Sequence, residues 1–136
     1  QYTTAALVTE NKTLCFPASA DSIPTSLGQE DHVSMGSISG RKLNRVLDNL
    51  EFILAIELLS ASQAIEFRRP HKSSGILEFA HEYVRGFVGF AEEDRIFADD
   101  INMVAGFIKD FSFVKKVNEF AKEKNILLNK GFEEFV

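Results

Sequence analysis

Gln29, Glu30, Asp31 and His32 stand side by side, immediately before an apolar pattern of helical spacing begins. Two kinds of chemistry are open to them. Glu30 and Asp31 at a helix start would be held by the helix dipole and by the unpaired backbone N–H groups there, and a capping role for Asp31 requires nothing more. Gln29 and Glu30 together would instead present an amide and a carboxylate to a polar ligand at the helix mouth. The residues alone leave both readings open. A metal site is disfavoured, because consecutive helical side chains diverge, the paired-His spacing of a helical zinc motif is missing, and His71 and His81 lie in other elements. A serine hydrolase is no better supported: the glycine-flanked nucleophile elbow is absent, and Ser73-Ser74-Gly75 reads as a turn.

The elements that must position these residues follow from the pattern around them. The expected organisation is all-α: a truncated helix over 1–12, an irregular active-site loop over 13–30, a long core helix over 31–69, shorter packed helices over 75–125 and a tail over 126–136. Pro17, Pro24, Gly28 and a crowd of Ser, Thr and Asp make the second segment a loop, and its length is of the kind that usually carries function. The first helix should end near Asn11-Lys12, where a cation suits a helix C-terminus. From Asp31 to Phe67 there is no proline, and Val33, Ile38, Leu43, Val46, Leu47, Leu50, Ile53 and Leu54 recur at helical spacing. Such a helix would be about 50 Å long, too long for so small a chain to cover with its own mass.

Between Phe52 and Ile65 that helix has almost no polar face beyond Glu57, Ser60, Ser62 and Gln63, so it should be buried on most sides. Glu57 in its middle makes it a poor membrane span. Helices from other subunits or from sequence outside this chain are the better covering. Pro70 ends it. Ile76, Leu77, Phe79, Ala80, Tyr83, Val84 and Phe87 then form one amphipathic stripe. Asp99 or Asp100 is expected to cap a fourth helix with Ile101, Val104, Ile108 and Phe111 inside. Ser112 is expected to cap a fifth with Val114, Val117, Phe120 and Ala121 inside.

Composition narrows the function classes. With 136 residues, 45% apolar and 26% charged, the chain fits one ordinary globular unit. Fifteen basic against twenty acidic residues give a net charge of −5, which disfavours a nucleic-acid partner. A single cysteine, Cys15, rules out an internal disulfide and fits a reducing, cytoplasmic compartment. The opening Gln1-Tyr2-Thr3-Thr4 lacks the layout of a secretory signal and reads as cut from inside a longer chain.

Three runs carry a resemblance: Pro-Ala-Ser at 17–19, Asp-Ser-Ile-Pro-Thr-Ser at 21–26 and Gln-Glu-Asp-His-Val-Ser-Met-Gly at 29–36. They resemble the C-terminal signature of the histidine ammonia-lyase branch of the aromatic amino acid ammonia-lyase family. Gln1 to Val8, Glu10-Asn11-Lys12, Leu54 to Leu59 and Arg69-Pro70 extend the similarity, which runs to about Phe111 and weakens after Gly75.

The resemblance implies a helical homotetramer with shared active sites, converting L-histidine to urocanate and ammonia. It also implies a methylidene-imidazolone electrophile formed from an internal Ala-Ser-Gly, with a tyrosine base removing the β-proton. No Ala-Ser-Gly occurs in these 136 residues, so this segment alone is expected to be inactive. By the same resemblance Gln29 and Glu30 bind substrate and Glu30 is catalytic, beside the substrate ring. The histidine lyases carry Glu there and the phenylalanine and tyrosine lyases Gln. Leu27-Gly28 departs from the Ala-Asn usual in the histidine branch. An aminomutase of the same family, and a non-catalytic helical oligomerisation module, are the alternative readings.

Overall fold

The computed structural model describes residues 1–18, 20, 23–30, 32 and 36–128. The expected cap Asp31 and the tail beyond residue 128 lie outside them. Among the described residues the chain is all-α: α1 (Tyr2–Leu14), α2 (Gly36–Glu66), α3 (Gly75–Arg85), α4 (Ala98–Lys109) and α5 (Ser112–Glu123). Beyond them lie a short 3-10 turn at Ser26–Gly28 and one isolated bridge between Thr25 and Glu30. The chain forms two compact units, residues 1–53 and 54–136, with α2 contributing to each.

The first unit is two helices and the connector between them. α1 continues two residues past Lys12 to Leu14, and the Cys15 N–H closes it onto the Asn11 and Lys12 carbonyls. α1 has no buried residue among its apolar positions. Polar bonds from Glu10 and Asn11 tie it to the first half of α2. Leu43, Leu47 and Leu50 on α2 are 56%, 46% and 42% exposed, and Leu54 follows at 40%. Their spacing of four, three and four residues is that of a seam meeting another helix. Over residues 52–65, the stretch expected to be buried on most sides, the chain alone fully buries Ala55 and Ser62 and half-buries Phe52, Ile53, Ile56, Leu58, Leu59 and Ile65.

The second unit packs α3 and α4 against α5. Its core is Val84, Val88, Val104, Ala105, Phe107 and Ala121, together with Ala55 of α2. Aromatic rings close it: Phe79 stacks on Phe120 at 4.2 Å between centroids, and Tyr83 meets Phe87, Phe107 and Phe113. Leu77 and Phe87, expected on the inner stripe of α3, are 53% and 55% exposed, while His81 on the same helix is 4% exposed. The inner face of α4 is likewise rotated from the expected one. Ala105 and Phe107 are buried with Val104, and Phe111 is 71% exposed.

Both expected caps are corrected. Phe97 already has helical angles and α4 starts at Ala98, so Asp99 and Asp100 sit inside the first turn, where the dipole still favours them. Asp100 Oδ2 accepts from Arg95 Nη2 at 2.7 Å and Nε at 3.2 Å. Ser112 is the first residue of α5 and not its cap. The chain reverses at Phe111 with φ +59°, and Asp110 Oδ1 accepts from the Ser112 N–H at 2.8 Å. Bonds from Ser112 hold the Asp110 carboxyl below its usual range.

Candidate functional site

The connector between α1 and α2 is built around a tight reversal. Thr25 N–H donates to Glu30 O at 2.8 Å and Glu30 N–H to Thr25 O at 3.3 Å, closing a loop of six residues. Between them Ser26, Leu27 and Gly28 all take positive φ, +53°, +56° and +85°. Left-handed backbone suits glycine, but each L-residue held there costs about 1–2 kcal/mol. Leu27 is fully exposed at the tip, so no burial offsets that cost. Strain of this kind is kept where surrounding structure over-determines it, commonly at functional positions.

The reversal places Gln29 and Glu30 together on its closing limb, both exposed, with His32 exposed just beyond. Gln29 N–H donates to Ser26 O at 3.2 Å, which ties its backbone and leaves the Gln29 and Glu30 side chains reaching outward from a fixed turn. The arrangement can offer an amide and a carboxylate to one ligand. His71 and His81 belong to the second unit. Among the described residues, no group of three or more His, Cys, Asp or Glu is placed to hold a metal ion.

The turn makes one outcome readable at once. Leu27→Asn, which tolerates left-handed φ, should stabilise the closed reversal by up to about 1 kcal/mol, whereas Leu27→Val should open it. Amide exchange at Glu30, whose N–H is one of the two closing bonds, measures both: slower in the first variant, faster in the second.

The connector is anchored from α2. Lys42, Arg45 and Asn49, spaced three and four residues apart, face α1 and the chain just after it. Lys42 Nζ donates to the Phe16 carbonyl and lies 5.8 Å from the centre of its ring. Arg45 Nε donates to Glu10 Oε1 at 3.1 Å. Asn49 is 2% exposed, and its Nδ2 donates to Glu10 Oε2 at 3.0 Å and to Asn11 Oδ1 at 2.8 Å. The Arg45 bond, then the Asn49 bond, hold the Glu10 carboxyl below its usual range. Glu10 and Asn11 stand out in the sequence only as matched positions, and nothing there pairs them with Arg45 and Asn49. A polar residue at the helical spacing of Lys42 and Arg45 is the available signal.

A second polar cluster, in the other unit, also escapes the sequence. Glu66 Oε1 accepts from His81 Nε2 at 3.0 Å and from Arg85 Nε at 3.3 Å. Arg85 reaches on to Gln63 Oε1 and to the carbonyls of Val88 and Gly89, and Gln63 Nε2 donates to Ala91 O at 2.8 Å. A carboxylate only accepts, so His81 carries its proton on Nε2, and its buried Nδ1 has no partner among the described residues. Beside it Glu78 accepts from the Ser73 N–H at 2.7 Å and from Arg69 at 2.8 Å, and these two bonds, in that order, lower its carboxyl.

The family model described as aromatic amino acid lyase matches residues 1–86. A histidine ammonia-lyase of Aliivibrio fischeri strain MJ11 is 49% identical over 113 residues, covering 83% of this chain and 22% of that enzyme. The crystal structure of histidine ammonia-lyase from Trypanosoma cruzi superposes with a TM-score of 0.82 at 46% identity, over 88% of this chain and 24% of that one. Tyrosine aminomutase from Streptomyces globisporus gives a TM-score of 0.81 at 39% identity, over 87% and 22%. The chain thus spans under a quarter of the length of these relatives. With the matched region reaching from α1 through the connector and α2 into α3, this chain belongs to the aromatic amino acid lyase family.

Proposed function

We propose that these 136 residues are the C-terminal helical part of a histidine ammonia-lyase, the enzyme that deaminates L-histidine to urocanate and ammonia. The observation that carries the reading is Glu30, an exposed carboxylate on a strained, closed turn next to Gln29, in a chain 49% identical to an enzyme of that name. A carboxylate accepts a charge-assisted hydrogen bond from an imidazole N–H and stabilises positive charge on the ring, which a phenyl ring cannot use. Gln29 supplies a neutral donor and acceptor beside it.

The family's methylidene-imidazolone makes ammonia a leaving group, and it is built from Ala-Ser-Gly. These residues include no such tripeptide and do not fit that role, so the reading confines this chain to the ring side of the site. The exposed leucines of α2 support a homotetramer in which helices of neighbouring subunits cover them. A cytoplasmic location goes with the same reading. Among the described residues no helix is long and apolar enough to cross a membrane.

An aminomutase is the second reading, favoured by the likeness to the tyrosine aminomutase structure. The two separate on product. The full-length enzyme carrying this segment, given L-histidine, should generate the ultraviolet absorbance of urocanate with release of ammonia. Formation of a β-amino acid in its place would overturn the proposal in favour of the mutase.

A further inference from the structure

The connector leaves α1 at Leu14 and rejoins helix at Gly36, and the bonds described within it close only the short 25–30 reversal. Gln29 and Glu30 sit between the start of the connector and the start of α2 at Gly36, and the fixing of those two ends sets where the turn can lie. One face of α2 supplies that anchorage. Lys42 holds the first residues of the connector by the Phe16 carbonyl, while Arg45 and Asn49 hold the last turns of α1 through Glu10 and Asn11. Of the three α2 residues, Asn49 alone is buried, and both of its amide hydrogens are committed to α1. α1 has no fully buried residue, its Leu7 and Leu14 being half-buried, so no sealed core backs this polar grip.

We propose that Asn49 is a positioning residue for the ring-binding pair, acting through Glu10 and Asn11 to fix the start of the connector and hence the placement of Gln29 and Glu30. The inference rests on the histidine reading for its kinetic part, and its structural part stands alone. Asn49→Ala removes both donors, and Asn49→Asp further sets a carboxylate against Glu10. Glu10→Gln weakens the same grip from α1 and serves where the Asn49 variants yield little protein. Ser62→Ala changes an equally buried polar residue of α2 outside the grip and is the control.

The test is a double-mutant cycle in the full-length enzyme. Asn49→Ala should lower kcat/KM for L-histidine about tenfold on its own and less than about twofold in a Glu30→Gln background, because the second change finds the charged part of the Glu30 contact already gone. Amide exchange at Thr25 and Glu30 should accelerate in Asn49→Ala and Glu10→Gln but not in Ser62→Ala. Fully additive kinetic losses, or exchange at Thr25 and Glu30 that is indifferent to Asn49, would overturn the proposal. A wild-type enzyme that makes no urocanate instead sinks the histidine reading, and the exchange measurement then decides the positioning claim.

Discussion

Glu30→Gln in the full-length enzyme should lower kcat/KM for L-histidine by between about 10- and 100-fold, the size of one charged hydrogen bond reduced to a neutral one. The change keeps the volume of the side chain, removes its charge and replaces one acceptor oxygen with an NH2 donor. It occurs at an exposed position on a turn closed by backbone bonds, so folding should be unaffected. Asp31→Asn, read from the sequence as a capping change, should cost less than about fivefold. Initial rates of urocanate formation check both. Equal losses in the two variants would mean that Glu30 merely satisfies a helix end.

The second large effect lies in the other unit. Glu66→Ala leaves His81 and Arg85, 4% and 14% exposed, without the carboxylate they share. Breaking a buried pair from one side strands the remaining partners, which is why the cost exceeds the worth of the pair itself. Because Glu66 is 27% exposed and water can reach part of the vacated space, the expected loss is about 2 kcal/mol and not the full cost of a sealed site. Denaturant unfolding monitored at α3 measures it. Glu66→Gln, which retains an acceptor for the His81 N–H, should recover roughly half. A Glu66→Ala variant as stable as the parent would show that Gln63 and the carbonyls of Val88 and Gly89 suffice to satisfy Arg85.

These contrasts mark what is legible in a sequence of this kind. Helix existence is written in periodicity, and α2 through α5 can each be read from it. The face each helix buries is less legible, because His81 competes for the interior by finding Glu66, a partner fifteen residues away that no local pattern reveals. Caps fail for a related reason. Asp99, Asp100 and Ser112 are suitable residues, but the chain enters α4 through helical angles at Phe97 and α5 through a left-handed Phe111, so the expected capping positions fall inside the helix. The Gln29-Glu30 pair is visible as composition. The left-handed path through Ser26, Leu27 and Gly28 that presents it is visible only at Gly28, since neither serine nor leucine announces positive φ. The family resemblance supplies roles that the residues alone leave open, and it is silent about the Asn49 grip.

The leucines along α2 have a consequence for how change in this segment would be felt. Leu47 and Leu50 leave nearly half of their surface uncovered within the chain, so a substitution there costs a lone copy less than one at a sealed core position. In an assembly the same substitution weakens association, and its penalty then follows mass action: slight where protomers are plentiful, severe on dilution. Defects along this stripe would therefore behave as defects of dosage, curable by abundance, which no lesion at the Gln29-Glu30 turn could be.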